Sequence, residues 1–110
     1  MAAHSLGQVT ISTPGTRVRL TVNQADPGKT FPVQSILVQA ISSVAHTNTG
    51  RAYLYDAQTG GAPIVLAVPT ANTIPSASVT KPDAPCALNA GDYWIDADNS
   101  TDGVNAWYVR

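Results

Sequence analysis

The stretch from residue 33 to residue 56 constrains the fold most, because two strand-like runs flank a turn sequence there. The first run carries apolar side chains at both parities. Ile36, Val38 and Ala40 share one parity, and Leu37 and Ile41 share the other. A strand that is apolar on both faces is usually covered on both faces. We therefore expect this run to be a central strand of a sheet.

The second run of this stretch alternates, with Tyr53 and Tyr55 on one face and Ala52 and Leu54 on the other. Between the two runs, the sequence Asn48-Thr-Gly50 is typical of a turn, because Asn and Gly tolerate positive φ. The pattern predicts a long β-hairpin as the core of the domain.

The remainder of the chain contains further short apolar runs, separated by turn residues at about ten-residue spacing. Its seven acidic residues are all Asp, and good helix formers are scarce. We predict an all-β fold, an antiparallel β-sandwich that is jelly-roll-like, with about eight short strands. Residues 1–7 are expected to form an N-terminal arm, residues 8–110 a single β-sandwich domain, and residues 69–85, with four prolines, a long loop.

The charge composition argues against several kinds of partner. The net charge is −1 and only 12% of residues are charged, so we expect neither nucleic-acid nor membrane binding. So few charges favour a surface partly covered by partner chains, or one that is simply polar.

Cys86 is the single cysteine and is expected to be buried. The start of the chain lacks the features of a signal peptide, so we expect synthesis in a cytoplasm.

Two motifs suggest ligand chemistry at first sight. Pro27-Gly-Lys-Thr30 resembles the end of a phosphate-binding loop, but position 23 is not glycine and Pro32 prevents a following helix. Asp96, Asp98 and Asp102 are spaced like oxygen ligands of a hard cation, although the same residues suit a plain hairpin turn between strands. We predict no cofactor or metal and keep these three Asp residues only as weak cation candidates.

Catalytic constellations are equally weak. A hydrolytic triad could be drawn from Ser42 or Ser43, His46 and Asp56, and a carboxylate pair from Asp92 and Asp96. Neither has a sequence signature beyond chance proximity, so we predict no catalytic residues and no enzyme activity. An exposed aromatic platform for sugars stays open. It would draw on Tyr53, Tyr55, Tyr93, Trp94, Trp107 and Tyr108.

The order of motifs resembles a known group of proteins. Val33-Gln-Ser-Ile-Leu-Val-Gln-Ala40 leads to Asn48-Thr-Gly-Arg-Ala-Tyr-Leu-Tyr55, followed by a Pro-rich middle. Ala87-Leu-Asn-Ala-Gly-Asp-Tyr-Trp-Ile95 and Asn105-Ala-Trp-Tyr-Val-Arg110 complete the order. Over residues 33–110 the chain resembles small virion structural proteins of tailed bacteriophages, most of all head decoration (cement) proteins.

The resemblance implies a protein without an active site that binds the phage major capsid protein on the capsid exterior and stabilises the head. It also implies a homo-oligomer, with a trimer favoured over a dimer, and an arm whose deletion weakens shell binding without unfolding the domain. The alternative is a tail- or baseplate-associated module that binds carbohydrate or other tail proteins. The candidate interface residues are His4, Leu6, Thr70, Ile74, Val79, Trp107 and Tyr108.

Overall fold

The computed structural model describes residues 3–42, 50–69, 74–80 and 88–110. About half of these residues lie in strands, and none of them forms an α-helix. No helix within these ranges could cross a membrane. In chain order the strands are β1 (Ala3–Thr10), β2 (Val18–Arg19), β3 (Pro32–Val33), β4 (Ser35–Ser42), β5 (Ala52–Tyr55), β6 (Ile64–Leu66), β7 (Ser76–Thr80), β8 (Leu88–Asn89), β9 (Trp94–Ala97) and β10 (Asp102–Val109), with a single 3-10 turn at Ala90–Asp92.

Two four-stranded antiparallel sheets make up the fold. The first sheet has the strand order β1-β10-β4-β7, and the second has the order β2-β9-β5-β6. A two-stranded ladder of β3 and β8 accompanies them. Side chains from both sheets, such as Val38 and Val104 in the first and Leu54 and Ile95 in the second, belong to one buried cluster. The predicted all-β sandwich is therefore confirmed, with ten described strands instead of about eight, whereas jelly-roll connectivity stays a prediction.

The predicted hairpin between β4 and β5 is wrong. β4 pairs with β10 and β7 in the first sheet, and β5 pairs with β9 and β6 in the second. Ile36 and Leu54 are buried in the same core from opposite layers, so the chain must cross between sheets to bury both. The central position predicted for β4 is correct. Asn48 and Thr49 lie outside the described residues.

The predicted N-terminal arm is also corrected, because β1 begins at Ala3 and pairs with β10 along its whole length. Leu6 is 1% exposed and belongs to the core. A register shift lies between Ser5 and Gly7, and Gly7 adopts φ +85° there. The Asn23 amide donates to the carbonyls of Leu6 and Gln8 at 3.3 and 2.6 Å. Asn23 therefore covers part of the outer edge of β1, where a further strand could otherwise add.

Three further sequence expectations differ from the structure. The alternation of Val18, Leu20 and Val22 predicts a strand over residues 17–22, but the strand ends at Arg19. Thr21 is buried and donates to the Pro27 carbonyl at 2.7 Å, while Val22 is exposed. The loop expected over residues 69–85 contains β7. The turn suggested by Asp96, Asp98 and Asp102 does not close a hairpin, because residues 98–101 join β9 of the second sheet to β10 of the first. Cys86 lies outside the described residues.

Candidate interaction surfaces

The three cation candidates do not converge on a common site. The Asp96 carboxylate accepts from the backbone N–H groups of Gly15 and Ala97 at 3.1 and 2.8 Å. Asp98 accepts from the Arg51 N–H and the Tyr53 hydroxyl at 3.1 and 2.6 Å, and Asp102 accepts from the Gly50 N–H at 3.0 Å. Within the described ranges no three His, Cys, Asp or Glu residues are grouped to hold a metal ion. These carboxylates therefore hold neighbouring loops in place through their hydrogen bonds.

The hydrogen bond between Tyr53 and Asp98 shifts the pKa of both side chains. The Tyr53 hydroxyl holds the pKa of Asp98 below its ordinary value, and the Arg51 N–H acts in the same direction. The hydrogen bond to Asp98 raises the pKa of Tyr53, because ionisation of the phenol would break that bond beside a negative carboxylate. The pair is exposed on the surface, so it joins β5 to the end of β9 without forming a buried catalytic dyad.

The structure describes only some of the residues considered for hydrolysis. Asp92 ends the 3-10 turn whereas Asp96 lies within β9, so the two candidate carboxylates do not share a strand. Both Ser43 and His46 lie outside the described residues, as does the side chain of Ser42, so the triad stays untested.

The six aromatic residues considered for a sugar platform are divided among several surfaces. Tyr53, Tyr55 and Trp94 lie on the outer face of the second sheet, and Trp107 lies on the outer face of the first. Tyr93 and Tyr108 are partly buried and pack against the core instead. The six residues therefore do not form one platform. Of the six, Tyr53, Tyr55 and Trp94 share the outer face of the second sheet.

Among the residues that the structure describes, the strands of the first sheet place no ionisable side chain on its outer face. Leu37 is 41% exposed at its centre and lies opposite the half-buried Trp107. Small residues flank this pair in the same cross-strand row, with Ser5 on β1 and Ser78 on β7. We call this the uncharged face; its members are Ala3, Ser5, Gln8, Ser35, Leu37, Gln39, Ser76, Ser78, Thr80, Asn105, Trp107 and Val109.

A second apolar region lies along β6. Ile64, Val65 and Val68 lie in β6 or just after it and are all more than two-fifths exposed, and Val65 reaches 51%. Beside them an open cleft of about 180 Å³ is lined by residues that include Leu54, Ile64, Val79 and Tyr93. Burial raises the pKa of the Tyr93 hydroxyl, and the nearby charges of Asp56 and Asp92 raise it further. The cleft offers an apolar recess at the side of the sandwich.

Two arginines are fixed on the outer face of the second sheet. Arg19, Trp94 and Tyr55 form one cross-strand row. The Arg19 guanidinium carbon lies 4.5 Å from the centroid of the Trp94 ring, and that of Arg17 lies 3.3 Å from the centroid of the Tyr55 ring. Arg17 donates at 2.8 Å to the carbonyls of both Ala57 and Gly60, and Arg19 donates to the Gly91 carbonyl. The stacked rings and carbonyls hold both cations in place.

The predicted interface residues do not share one surface, and they differ in how far they are buried. Trp107 and the 50% exposed Ile74 are surface residues, and Val79 and Tyr108 are half-buried against the core. His4 is exposed and stacks on Tyr108 with ring centroids 5.1 Å apart. Leu6 is a core residue, so its assignment to an interface is wrong for this structure, and Thr70 lies outside the described residues.

Sequence reasoning missed Leu37 as an interface residue, although the signal was present. Apolar residues on the second parity of a central strand are expected to be covered within the domain. The structure buries Ile41 in this way but leaves Leu37 exposed. The stacked arginines carried no comparable sequence signal, because their aromatic partners come from strands distant in the chain.

Comparison of the chain with protein-family models, with curated proteins and with solved structures gives no match.

Proposed function

We propose that this chain is a non-enzymatic structural protein that attaches to other protein subunits through the uncharged face of the first sheet. The observation that carries this proposal is the exposed Leu37, which lies beside the half-buried Trp107 at the centre of that face. Strand β4 is apolar on both parities, and the domain itself buries Ile36, Val38 and Ala40 on the inner parity. A partner would complete the cover of Leu37 on the outer parity.

The composition of this face suits a protein interface. Interface centres are depleted of charged residues and enriched in aromatic ones, and a charge-free ladder with a central Trp has that character. Four strands about 4.8 Å apart and up to eight residues long give a face on the order of 500 Å². One partner of a standard interface contributes roughly 800 Å², so this face could supply more than half of a stable contact.

The setting we propose is the exterior of a tailed-phage capsid, where the protein would act as a head decoration protein bound to the major capsid protein. This part rests on the sequence resemblance alone. Binding only to the assembled lattice would stabilise the lattice by the free energy of attachment, without any chemistry. A homo-oligomer, with a trimer favoured, would engage several capsid subunits at once and gain affinity from multivalency.

A second candidate function, carbohydrate binding by a tail or baseplate module, is favoured by one observation. Tyr53, Tyr55 and Trp94 lie together on the outer face of the second sheet, with the rings of Tyr53 and Tyr55 6.5 Å apart. Sugars pack well against such rings. However, Arg17 and Arg19 stack on two of the three rings, which reduces the aromatic surface open to a sugar.

The proposal is tested by placing a charge on the uncharged face. We expect Leu37→Asp to abolish binding to phage heads that lack their decoration protein, measured by co-sedimentation, and to reduce any oligomer to monomers in light scattering. The matched control is Val65→Asp, because Val65 is 51% exposed on the other sheet and adds the same charge. If Leu37→Asp keeps the wild-type melting temperature and still saturates the particles, the uncharged face is not the attachment surface. Failure of the wild-type protein to bind heads, with specific binding on a glycan array, would favour the sugar-binding alternative.

A further inference from the structure

We propose that the free edge of β7 is a docking site for an extended segment of a partner protein. The segment would add to the first sheet as an antiparallel fifth strand and place an apolar side chain in the cleft lined by Ile64, Val79 and Tyr93. The binding element is the backbone edge of β7, not the side chains of the uncharged face. The site therefore goes beyond the attachment proposed above and does not depend on it.

The backbone of β7 presents hydrogen-bonding groups that its own sheet does not use. The Ala40 N–H donates to the Pro75 carbonyl at 3.0 Å, which sets the parity of the ladder between β4 and β7. Hydrogen-bonded and non-hydrogen-bonded pairs alternate in an antiparallel ladder, so the odd-numbered residues of β7 bond to β4. The N–H and C=O groups of Ser76, Ser78 and Thr80 therefore point away from β4, where the described part of the sheet ends.

β7 is the least protected of the four described edge strands in the two large sheets. The Asn23 amide and a register shift protect the edge of β1, and β2 and β6 are only two and three residues long. By contrast, β7 runs for five residues in uninterrupted register, and Ser76–Thr80 contains neither proline nor charge. Proteins normally protect an edge by one of these means, so an edge without them is suited to pairing with another chain.

An apolar cleft lies beside this edge. Val79 lines it from β7, and Ile64 lines it from β6, the edge strand of the second sheet. Val79 is half-buried and Ile64 is 41% exposed, so neither is fully covered within the domain. A residue opposite Val79 on an added strand would point to the same face of the sheet, toward the cleft. The edge and the cleft could therefore hold the backbone and one side chain of the same segment.

The size and lining of the cleft indicate the side chain that it would take. Its volume is about 180 Å³, and an apolar cavity of about 150 Å³ is large enough to bind benzene. A phenylalanine or leucine side chain therefore suits it. Asp56 also lines the cleft, and its charge disfavours an acidic side chain there.

These features fit a partner segment better than a second copy of β7. Two copies paired about a twofold axis would bring only Ala77 and Val79 to the inner side, and these side chains are too short to fill the cleft. An extended segment with a large apolar residue matches both the row of backbone groups and the recess. Main-chain hydrogen bonds then supply affinity, and the cleft supplies specificity.

The experiment titrates the isotope-labelled full chain with the capped peptide Lys-Thr-Val-Thr-Phe-Thr-Lys and follows the backbone amides by NMR. Its valine and phenylalanine have the parity that faces the cleft, and its threonines have the parity that bonds to the edge. We expect saturable shifts and slower hydrogen exchange at the N–H groups of Ser76 and Ser78. The N–H groups of Ala77 and Val79, which already bond to β4, should change far less.

Two N-methylated forms of the peptide are the matched pair. Methyl groups on the second and third threonines remove donors that face β7, so we expect a loss of affinity of about tenfold or more, as for two lost backbone hydrogen bonds. Methyl groups on the valine and phenylalanine lie on the opposite edge of the peptide, so we expect an affinity within about threefold of the unmodified peptide.

Ser78→Pro tests the edge from the protein side, because proline removes the outward N–H and is tolerated on edge strands. We expect it to lose binding while Ser78→Ala, which keeps the N–H, binds like wild type. Ile64→Asp places a charge in the cleft and should weaken binding by roughly tenfold. Its control is Val65→Asp, on the outer face of the same strand.

The methylated peptides are titrated into the wild-type protein, so the test holds even if Ser78→Pro fails to fold. Equal affinity of the two methylated peptides, or no saturable shift at Ser78 with the unmodified peptide, would overturn the docking site. Without peptide, protection of the Ser78 N–H that rises with protein concentration, together with a dimer in light scattering, would mean that a second copy closes the edge and would overturn the choice of partner. No phage heads are used, so these outcomes are independent of attachment through the uncharged face.

Discussion

The carboxylate of Asp102 accepts a hydrogen bond from the backbone N–H of Gly50 at 3.0 Å, although the two residues are 52 positions apart. Asp102 is the first residue of β10 in the first sheet, and Gly50 precedes β5 in the second. Asp102 is only 1% exposed, so this bond ties the two layers together in a water-poor environment. A residue that the sequence suggested as a weak cation ligand thus has a structural role.

We expect Asp102→Ala to lower the free energy of unfolding by about 1–3 kcal/mol, because it leaves a buried N–H without its acceptor. Urea denaturation monitored by tryptophan fluorescence measures the loss. The control is Asp26→Ala, where an exposed side chain is removed and a change within about 0.5 kcal/mol is expected. Equal stability of the two variants would mean that the Gly50 bond contributes nothing measurable.

Gly103 is required by a close approach between β10 and β1. A side-chain carbon at this position would collide with the Val9 carbonyl oxygen and lie 2.7 Å from the Thr10 Cα. Both obstacles are backbone atoms and cannot swing aside, so Gly103→Ala should destabilise the protein by about 3 kcal/mol or more. Gly28→Ala is the matched substitution, because a side-chain carbon there meets open space. It should be neutral or stabilising by about 0.4–1 kcal/mol, through the lower entropy of the unfolded chain. Comparable melting temperatures would contradict the close approach.

Substitution of Leu6 tests whether residues 1–7 are part of the folded domain. Leu6→Ala should cost about 2–5 kcal/mol, as for other large-to-small changes in a core, and deletion of residues 1–7 should prevent stable folding. Val65→Ala, at an exposed position, should change stability by less than about 0.5 kcal/mol. A deletion variant that melts like the wild-type protein would restore the interpretation of residues 1–7 as a dispensable arm.

The contact between Tyr53 and Asp98 predicts a pH dependence with a defined sign. Because the pKa of Asp98 is held below its ordinary value of 3.8, the stabilisation is complete above pH 3.8 and is lost as the pH falls through the lowered pKa. Because the pKa of Tyr53 is raised above 10.0, the stabilisation is complete below pH 10.0 and is lost as the pH rises through the raised pKa. The contribution should therefore be constant between these limits.

Tyr53→Phe removes the hydroxyl and should lower the melting temperature by a small, constant amount between about pH 4 and pH 10. The difference from wild type should shrink at both extremes. Tyr55→Phe is the control, because the Tyr55 hydroxyl makes no hydrogen bond to another described residue. If the two Phe variants show the same pH profile, the bond to Asp98 does not produce the effect.

Much of the fold could be predicted because strand alternation is a local property. The burial of Ala52 and Leu54 against the half-exposed Tyr53 and Tyr55 follows from a period of two, and the structure shows that pattern. β4 also lies between two neighbours, as predicted, although the cover expected on both of its faces is absent at Leu37. Periodicity predicts that a strand has a buried face, but it does not identify the strand that pairs with it.

The pairing of strands and the uncovered surfaces were decided by the tertiary structure. β4 and β5 follow one another in the chain yet belong to opposite layers, because burying Ile36 and Leu54 in one core requires one strand on each side of it. The stacking of Arg17 on Tyr55 and of Arg19 on Trp94 depends on the same arrangement, since β2, β9 and β5 meet only in the assembled sheet. The sequence by itself determined that the chain forms short strands around one apolar core, because alternation is set residue by residue. Which faces remain open to partners was decided only when distant strands packed together, because exposure belongs to the assembled layers.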